Sequence, residues 1–182
     1  MLQRYKILVL FILVLNNISC HENTKTQNMG SNKKLMIGDK APQFTLPDQN
    51  GKLINIYDFI GKTNLVVYFY PKDESYGCTK EACSFRDSYE DFKEAGAEVI
   101  GISADDEASH KGFAANHKLP FILLSDKDNK VANLYGVGKT MGILPGRVTF
   151  IIDKKGIIRG IYSSQIGYNK HVEEALEVLK KI

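Results

Sequence analysis

The sequence predicts an α/β protein in which a central mixed β-sheet is flanked by helices and preceded by an N-terminal β-hairpin. Three observations carry this. Leu65 to Tyr70 is a run of six apolar or aromatic residues without alternation, which suits a strand covered on both faces of a sheet. Strand-like runs then alternate with stretches of helical spacing, as parallel pairing requires. Late in the chain Asp153-Lys-Lys-Gly156 separates two further apolar runs, a hairpin signal that brings antiparallel strands into the same sheet.

The chain has 182 residues, 43% apolar and 25% charged, enough for one globular domain with a real core and no sign of an internal repeat or a second domain. Its start is different in kind. In residues 1–19, Arg4 and Lys6 precede an apolar block from Ile7 to Leu15, and Asn16 and Asn17 close it. This is a signal-peptide layout, too short for a comfortable membrane span. Ile18-Ser19-Cys20 is similar to the end of a bacterial lipoprotein signal, although Asn17 stands where Leu is usual, so Cys20 is the expected lipidation site. An uncleaved anchor and simple secretion are the alternatives. Residues 20–34 are polar and cannot bury enough surface to fold alone; they read as a flexible tether, or as a disordered terminus left by processing. Removal of the leader takes away two basic residues and brings the formal charge from +3 to +1. No basic run or zinc spacing accompanies it, which argues against nucleic acid.

The folded domain is expected over residues 35–182. Phe44-Thr-Leu and Leu53-Ile-Asn-Ile read as a hairpin with Asn50-Gly51 in its turn. Pro71 stops the strand that starts at Leu65. Asp73, Glu74, Ser75 and Gly77 supply turn and N-cap chemistry, and from Cys78 the apolar positions Ala82, Phe85, Tyr89 and Phe92 mark one helix that ends near Gly96. Glu98 to Ser103 is a second core strand, Asp105 to His117 a helix, Phe121 to Leu124 a short strand, and Asn129 to Tyr135 a short helix. Val148 to Ile152 and Ile157 to Tyr162 form the late hairpin, and Lys170 to Lys180 closes the chain as an amphipathic helix.

Cys78 therefore falls in the first turn of a helix. Unpaired backbone N–H groups and the positive end of the helix dipole stabilise a thiolate there, the reactive form of the residue. A free cysteine can equally be a small, inert core residue. A polar, Gly-containing loop before it and Cys83 five positions later favour the reactive reading.

Pro71, Ser75 and Cys78 satisfy the pattern P-x-x-x-[ST]-x-x-C, and the chain resembles the peroxiredoxins, thiol peroxidases with a thioredoxin-like fold. Gly77 to Asp87 is similar to the bacterioferritin comigratory protein, or peroxiredoxin Q, subfamily, and Arg147-Val-Thr-Phe-Ile-Ile-Asp153 resembles its arginine-bearing strand. Ser75 replaces the more usual threonine and keeps the hydroxyl. The resemblance implies that Cys78 attacks the peroxide and becomes a sulfenic acid. It also implies that Ser75 bridges Cys78 and substrate, that Arg147 points its guanidinium at both, and that Pro71 shields the pocket. Arginine suits such a role because it stays charged and donates in a fixed fork.

By the same resemblance Cys83 is the resolving cysteine, and a thioredoxin-like protein the reductant. No haem, flavin or metal is implied, and the subfamily's default is a monomer. On an intact helix a five-residue separation holds the two Cα atoms roughly 8–9 Å apart, whereas a disulfide tolerates about 7 Å. The first turns must unwind before the two sulfurs can join. Cys83 as an apolar filler is the alternative, and an external thiol would then be needed. Two rivals remain: an envelope thiol–disulfide oxidoreductase of the thioredoxin type, whose C-x-x-C this chain lacks, and a copper carrier, which would need closer cysteines and a distal histidine. His110, His117 and His171 show no ligand spacing and are expected in solvent-facing or capping roles. Tyr70 and Tyr76 are candidates for the pocket wall.

Overall fold

The computed structural model describes residues 34–140 and 144–182. The signal peptide, Cys20 and nearly all of the tether lie outside them. Strand β3, Asn64–Phe69, is buried at every position and is the middle strand of a five-stranded sheet. It pairs in parallel with β4, Ala97–Ser103, which pairs in parallel with β5, Ile122–Ser125. On its other side it pairs antiparallel with β8, Val148–Ile152, which forms the late hairpin with β9, Ile158–Ser163. The sheet is mixed, as the sequence predicts.

An unbroken apolar run still alternates faces once it is a strand. Val66, Tyr68 and Tyr70 enter one core with Cys78, Ala82 and Phe85, while Leu65, Val67 and Phe69 enter the other with Ile100, Phe150 and Tyr135. Tyr68 stacks on Phe85 with ring centroids 4.5 Å apart, which fixes helix α1, Tyr76–Asp87, against the sheet. Such a pair adds about 0.5–1.5 kcal/mol beyond the area it buries. Helix α5, Tyr168–Leu179, packs beside α1 and buries His171, Val172, Ala175 and Leu179 at helical spacing. Helix α3, Glu107–His117, is capped by Asp106, whose carboxylate accepts the Ser109 N–H.

The single helix expected to run to Gly96 is two. Ser88 adopts φ −104°, ψ 13°, ends α1 and begins α2, Tyr89–Glu94. The bend lets Phe92 reach the core while the Tyr89 hydroxyl donates to Glu98 at 2.7 Å. The early hairpin, β1 Thr45–Pro47 with β2 Leu53–Asn55, is a separate two-stranded sheet. Asp48 organises its turn by accepting the N–H groups of Asn50 and Lys52, with Gly51 at φ +79°. Helix α4, Lys130–Leu134, follows β5. Two short strands absent from the sequence reading, β6 Lys139–Thr140 and β7 Leu144–Pro145, then lead into Arg147.

Candidate active site

The loop between β3 and α1 is held from outside by α3. Asp73 is buried, and its carboxylate accepts the Tyr70 hydroxyl at 2.7 Å, the Ser109 hydroxyl at 2.7 Å and His110 Nδ1 at 2.9 Å. Those bonds hold the Asp73 carboxyl below its usual range although burial pushes it up. Glu74, at φ +56°, meets His117 Nε2 at 2.8 Å and the Asn116 amide at 2.9 Å. The loop conformation is therefore set before the helix starts. Ser75 occupies the N-cap position, and its carbonyl accepts the Thr79 N–H at 2.8 Å.

Cys78, three residues on, is 1% exposed. Arg147, at the entrance to β8, donates from Nη2 to Cys78 Sγ at 3.2 Å. Its Nη1 pairs with the Glu81 carboxylate, one helical turn after Cys78. The guanidinium lies over the Tyr168 ring at 5.1 Å, and its Nε has no hydrogen-bond partner among the described residues. Burial works against the charge on Arg147, but Glu81 and Cys78 offset it and its pKa ends raised. Tyr168 in turn packs on Gly77: a Cβ there would lie 2.6 Å from the Tyr168 hydroxyl, so the first turn of α1 needs glycine for this approach.

Of the residues expected from sequence, the structure brings Cys78 and Arg147 into contact. Cys83 lies five residues on in the same unbroken helix, half-buried, and both thiols are free. The Ser75 hydroxyl donates to the Lys72 carbonyl at 3.0 Å rather than to Cys78. Pro71 lines a cavity of about 530 Å³ at the C-terminal ends of β3 and β4, with Tyr70, Ser103, Asp126 and Gly146. Cys78 and Arg147 are not among its walls. Tyr70 borders this cavity while its ring packs in the core with Cys78, whereas Tyr76 is 74% exposed beside Lys80.

Two histidines correct the sequence reading. His110 and His171 are fully buried, and a buried imidazole keeps both nitrogens partnered. His110 spans Asp73 and the Leu124 carbonyl. His171 spans the Ser164 carbonyl at 3.0 Å and Thr149 Oγ1 at 2.7 Å, with Nδ1 3.4 Å from Glu81 Oε1. His117 is the partly exposed one, paired with Glu74. No group of three His, Cys, Asp or Glu among the described residues could hold a metal ion.

Burial pushes the Glu81 carboxyl up to about 7 against the pull of Arg147, and pulls His171 down to about 4. These shifts have opposite signs in stability. A raised acid binds its proton more tightly in the folded state, so its contribution is present below its ordinary value of 4.5 and lost as pH rises through about 7. A lowered histidine contributes stability above 6.5 that is lost as pH falls through about 4. Each spans roughly 3 kcal/mol, and they oppose where both titrate. Wild-type stability relative to Glu81→Gln is expected to fall by about 3 kcal/mol as pH rises from 4.5 to about 7 in urea titrations. A constant difference between the two proteins across that range would contradict the assignment.

A family model described as the AhpC/TSA family matches residues 37–161. The chain is 53% identical over 150 residues to the chloroplastic peroxiredoxin Q of Populus jackii, covering 82% of this chain and 70% of that protein. Among solved structures, the peroxidoxin BcpB of Mycobacterium tuberculosis superposes with a TM-score of 0.76 at 35% identity, covering 81% of this chain and 98% of that one. The bacterioferritin comigratory protein of Xanthomonas campestris, studied for its alkyl peroxide reduction activity, gives 0.70 at 30% identity over 76% of this chain and 90% of that one.

Proposed function

The chain belongs to the AhpC/TSA family and stands with its peroxiredoxin Q members, and from that premise we propose that it is a thiol-dependent peroxidase acting on hydrogen peroxide and organic hydroperoxides. The observation that carries this is the Arg147 guanidinium on Cys78 Sγ at 3.2 Å, at the N-terminus of α1. Peroxide cleavage needs an anionic nucleophile, a fixed line of attack, and charge stabilisation at the departing oxygen. The helix terminus and Arg147 stabilise the thiolate. Arg147 Nε, without a partner among the described residues, is a further donor for an incoming oxygen. Sulfur attacks the terminal oxygen, the O–O bond breaks, and Cys78 becomes a sulfenic acid. Ser75 takes part by turning its hydroxyl from Lys72 toward the substrate, and Pro71 limits water.

Cys83 then condenses with the sulfenic acid, releasing water and forming a Cys78–Cys83 disulfide. A thioredoxin-like dithiol protein reduces that disulfide. Both cysteines belong to one helix, so the cycle needs no second copy, which supports a working monomer. The basic start, apolar block and Cys20 support a lipid-anchored or secreted enzyme of the bacterial envelope.

Intact mass of the reduced domain after one equivalent of hydrogen peroxide tests the scheme. The wild type is expected to lose two hydrogens, and Cys83→Ser to hold a trappable sulfenic acid on Cys78. Should both stay reduced while a disulfide substrate oxidises them readily, the thiol–disulfide oxidoreductase reading takes over.

A further inference from the structure

Arg147 is a single cation between two buried acids. Nη2 donates to the Cys78 sulfur and Nη1 to the Glu81 carboxyl, and Glu81 is 0% exposed. If both acids were ionised, the pocket would hold one uncompensated negative charge away from water, which is costly. Among the described residues, the other groups around Glu81 and Arg147 offer no compensation. Tyr68 on β3 is a buried phenol that burial keeps neutral, and its hydroxyl has no partner among the described residues. Thr149 on β8 carries no charge, and Tyr168 on α5 presents its ring to Arg147.

His171 on α5 fixes where the proton must be. The Ser164 carbonyl only accepts, so the Nε2 that lies 3.0 Å from it carries the hydrogen. The ring is kept neutral by burial, so Nδ1 is a lone pair, and it accepts the Thr149 hydroxyl at 2.7 Å. Glu81 Oε1, 3.4 Å from that lone pair, has no hydrogen-bond partner among the described residues. An ionised oxygen in this position would be a buried charge facing another acceptor, and protonation of Oε1 removes both the charge and that repulsion.

Resting on the peroxidase reading above, we propose that Glu81 is the proton store of the peroxidatic step, neutral while Cys78 is a thiolate and ionised once Cys78 is a sulfenic acid. The balance is complete. The Cys78 thiolate gives two electrons to the terminal oxygen of ROOH, the S–O bond forms and the O–O bond breaks, and RO⁻ departs. Arg147 has then lost its anionic partner at sulfur and pairs fully with Glu81, which releases its proton. That proton completes ROH. The site thus begins and ends with one cation and one anion, and no proton is drawn from solvent. Glu81 acts through Arg147 and is a positioning and charge-compensating residue rather than one that touches substrate.

Single-turnover proton counting tests this. Cys83→Ser and Cys83→Ser/Glu81→Gln are mixed with hydrogen peroxide in weak buffer with a pH-indicator dye, on the acid side of the Glu81 midpoint. The glutamine variant is expected to take up about one proton per sulfenic acid formed, and the glutamate protein close to none. Equal uptake in the two overturns the proposal. Absence of sulfenic acid in both would instead remove the peroxidase reading beneath it. A second measurement needs no change at Glu81: the infrared difference between reduced and peroxide-treated Cys83→Ser should show loss of a protonated carboxyl C=O band. If no such band is lost, the store does not exist.

Discussion

Arg147→Met is expected to slow the reaction of Cys78 with hydrogen peroxide by about 10³-fold in stopped-flow single turnovers. The substitution keeps much of the length and apolar stem of the side chain, so α5 and β8 can still pack around it, but it removes three things together. The Nη2 donor at 3.2 Å from Cys78 Sγ is lost, and the thiolate is left with the helix terminus alone. The donor Nε, which has no partner among the described residues, can no longer meet the departing oxygen. Glu81 loses its cation, and its carboxyl, already raised by burial, is held more firmly neutral. Removing one preorganised donor at a developing anion costs about 10²–10³ in rate, and the thiolate loss adds to it. Arg147→Lys should recover only part, because a point charge cannot fork to Cys78 and Glu81 at once. A loss below tenfold, after correction for thiolate content measured by alkylation, would show that Arg147 is a structural cation only.

The comparison of methionine with lysine also separates charge from geometry. Arg147 follows β7 and Gly146 and stands at the start of β8, within reach of the start of α1. Only a planar, multiply donating group spans the gap between a sulfur and a carboxylate on adjacent turns of one helix.

Much of this was legible in the sequence, and the remainder was hidden for identifiable reasons. Leu65 to Tyr70 announced a doubly covered strand because no residue in it is polar, and β3 is central and fully buried. Cys78 and Arg147 could be named because each sits in a local pattern, although 69 residues separate them. The polar residues around them carry no local pattern. Glu81 stands three residues after Cys78 and so shares its helical face, which was the one available signal; on an exposed helix the same spacing means little. Thr149 is adjacent on β8 but reads as an ordinary strand residue. His171 and His110 were misplaced as surface groups because a lone histidine gives no hint of burial until the carbonyl that satisfies it is known. Here those carbonyls, Ser164 and Leu124, belong to tertiary contacts that sequence spacing does not encode. The bend at Ser88 was likewise invisible, since Tyr89 and Phe92 continue the helical period across it.

Oxidation to the Cys78–Cys83 disulfide is expected to raise amide hydrogen exchange at residues 76–83 by about 100- to 1,000-fold, a loss of roughly 3–4 kcal/mol of local protection. In the reduced fold both cysteines lie within α1, at a Cα separation that helical geometry sets at roughly 8–9 Å, beyond disulfide reach. The segment is built to open. It contains Gly77 and Thr79, its N-cap residue Ser75 makes no side-chain capping bond, and Tyr76 and Lys80 are exposed, so Cys78, Glu81 and Ala82 are its buried residues. Both ends are pinned more firmly. Upstream, Asp73 and Glu74 are tied to four side chains, Tyr70 and, on α3, Ser109, His110 and His117, with Asn116 adding a fifth. Downstream, Phe85 is fully buried between Tyr68 and Phe92, and Arg86 donates to the His117 carbonyl at 2.8 Å. Opening should therefore stop at Glu74 on one side and Phe85 on the other, with protection at Phe92 and in β3 unchanged. Equal protection of residues 76–83 in reduced and peroxide-treated protein would show that the helix has stayed closed, where geometry forbids a Cys78–Cys83 bond, and so would exclude Cys83 as the resolving residue. Exchange that spreads past Phe85 into α2 would show that the aromatic stack, rather than the helix start, is the weak element. A bracketed opening keeps the attacking loop ordered while Cys83 swings out of the helix, so the same motion that joins the sulfurs also brings the disulfide to the surface where a dithiol protein can reach it.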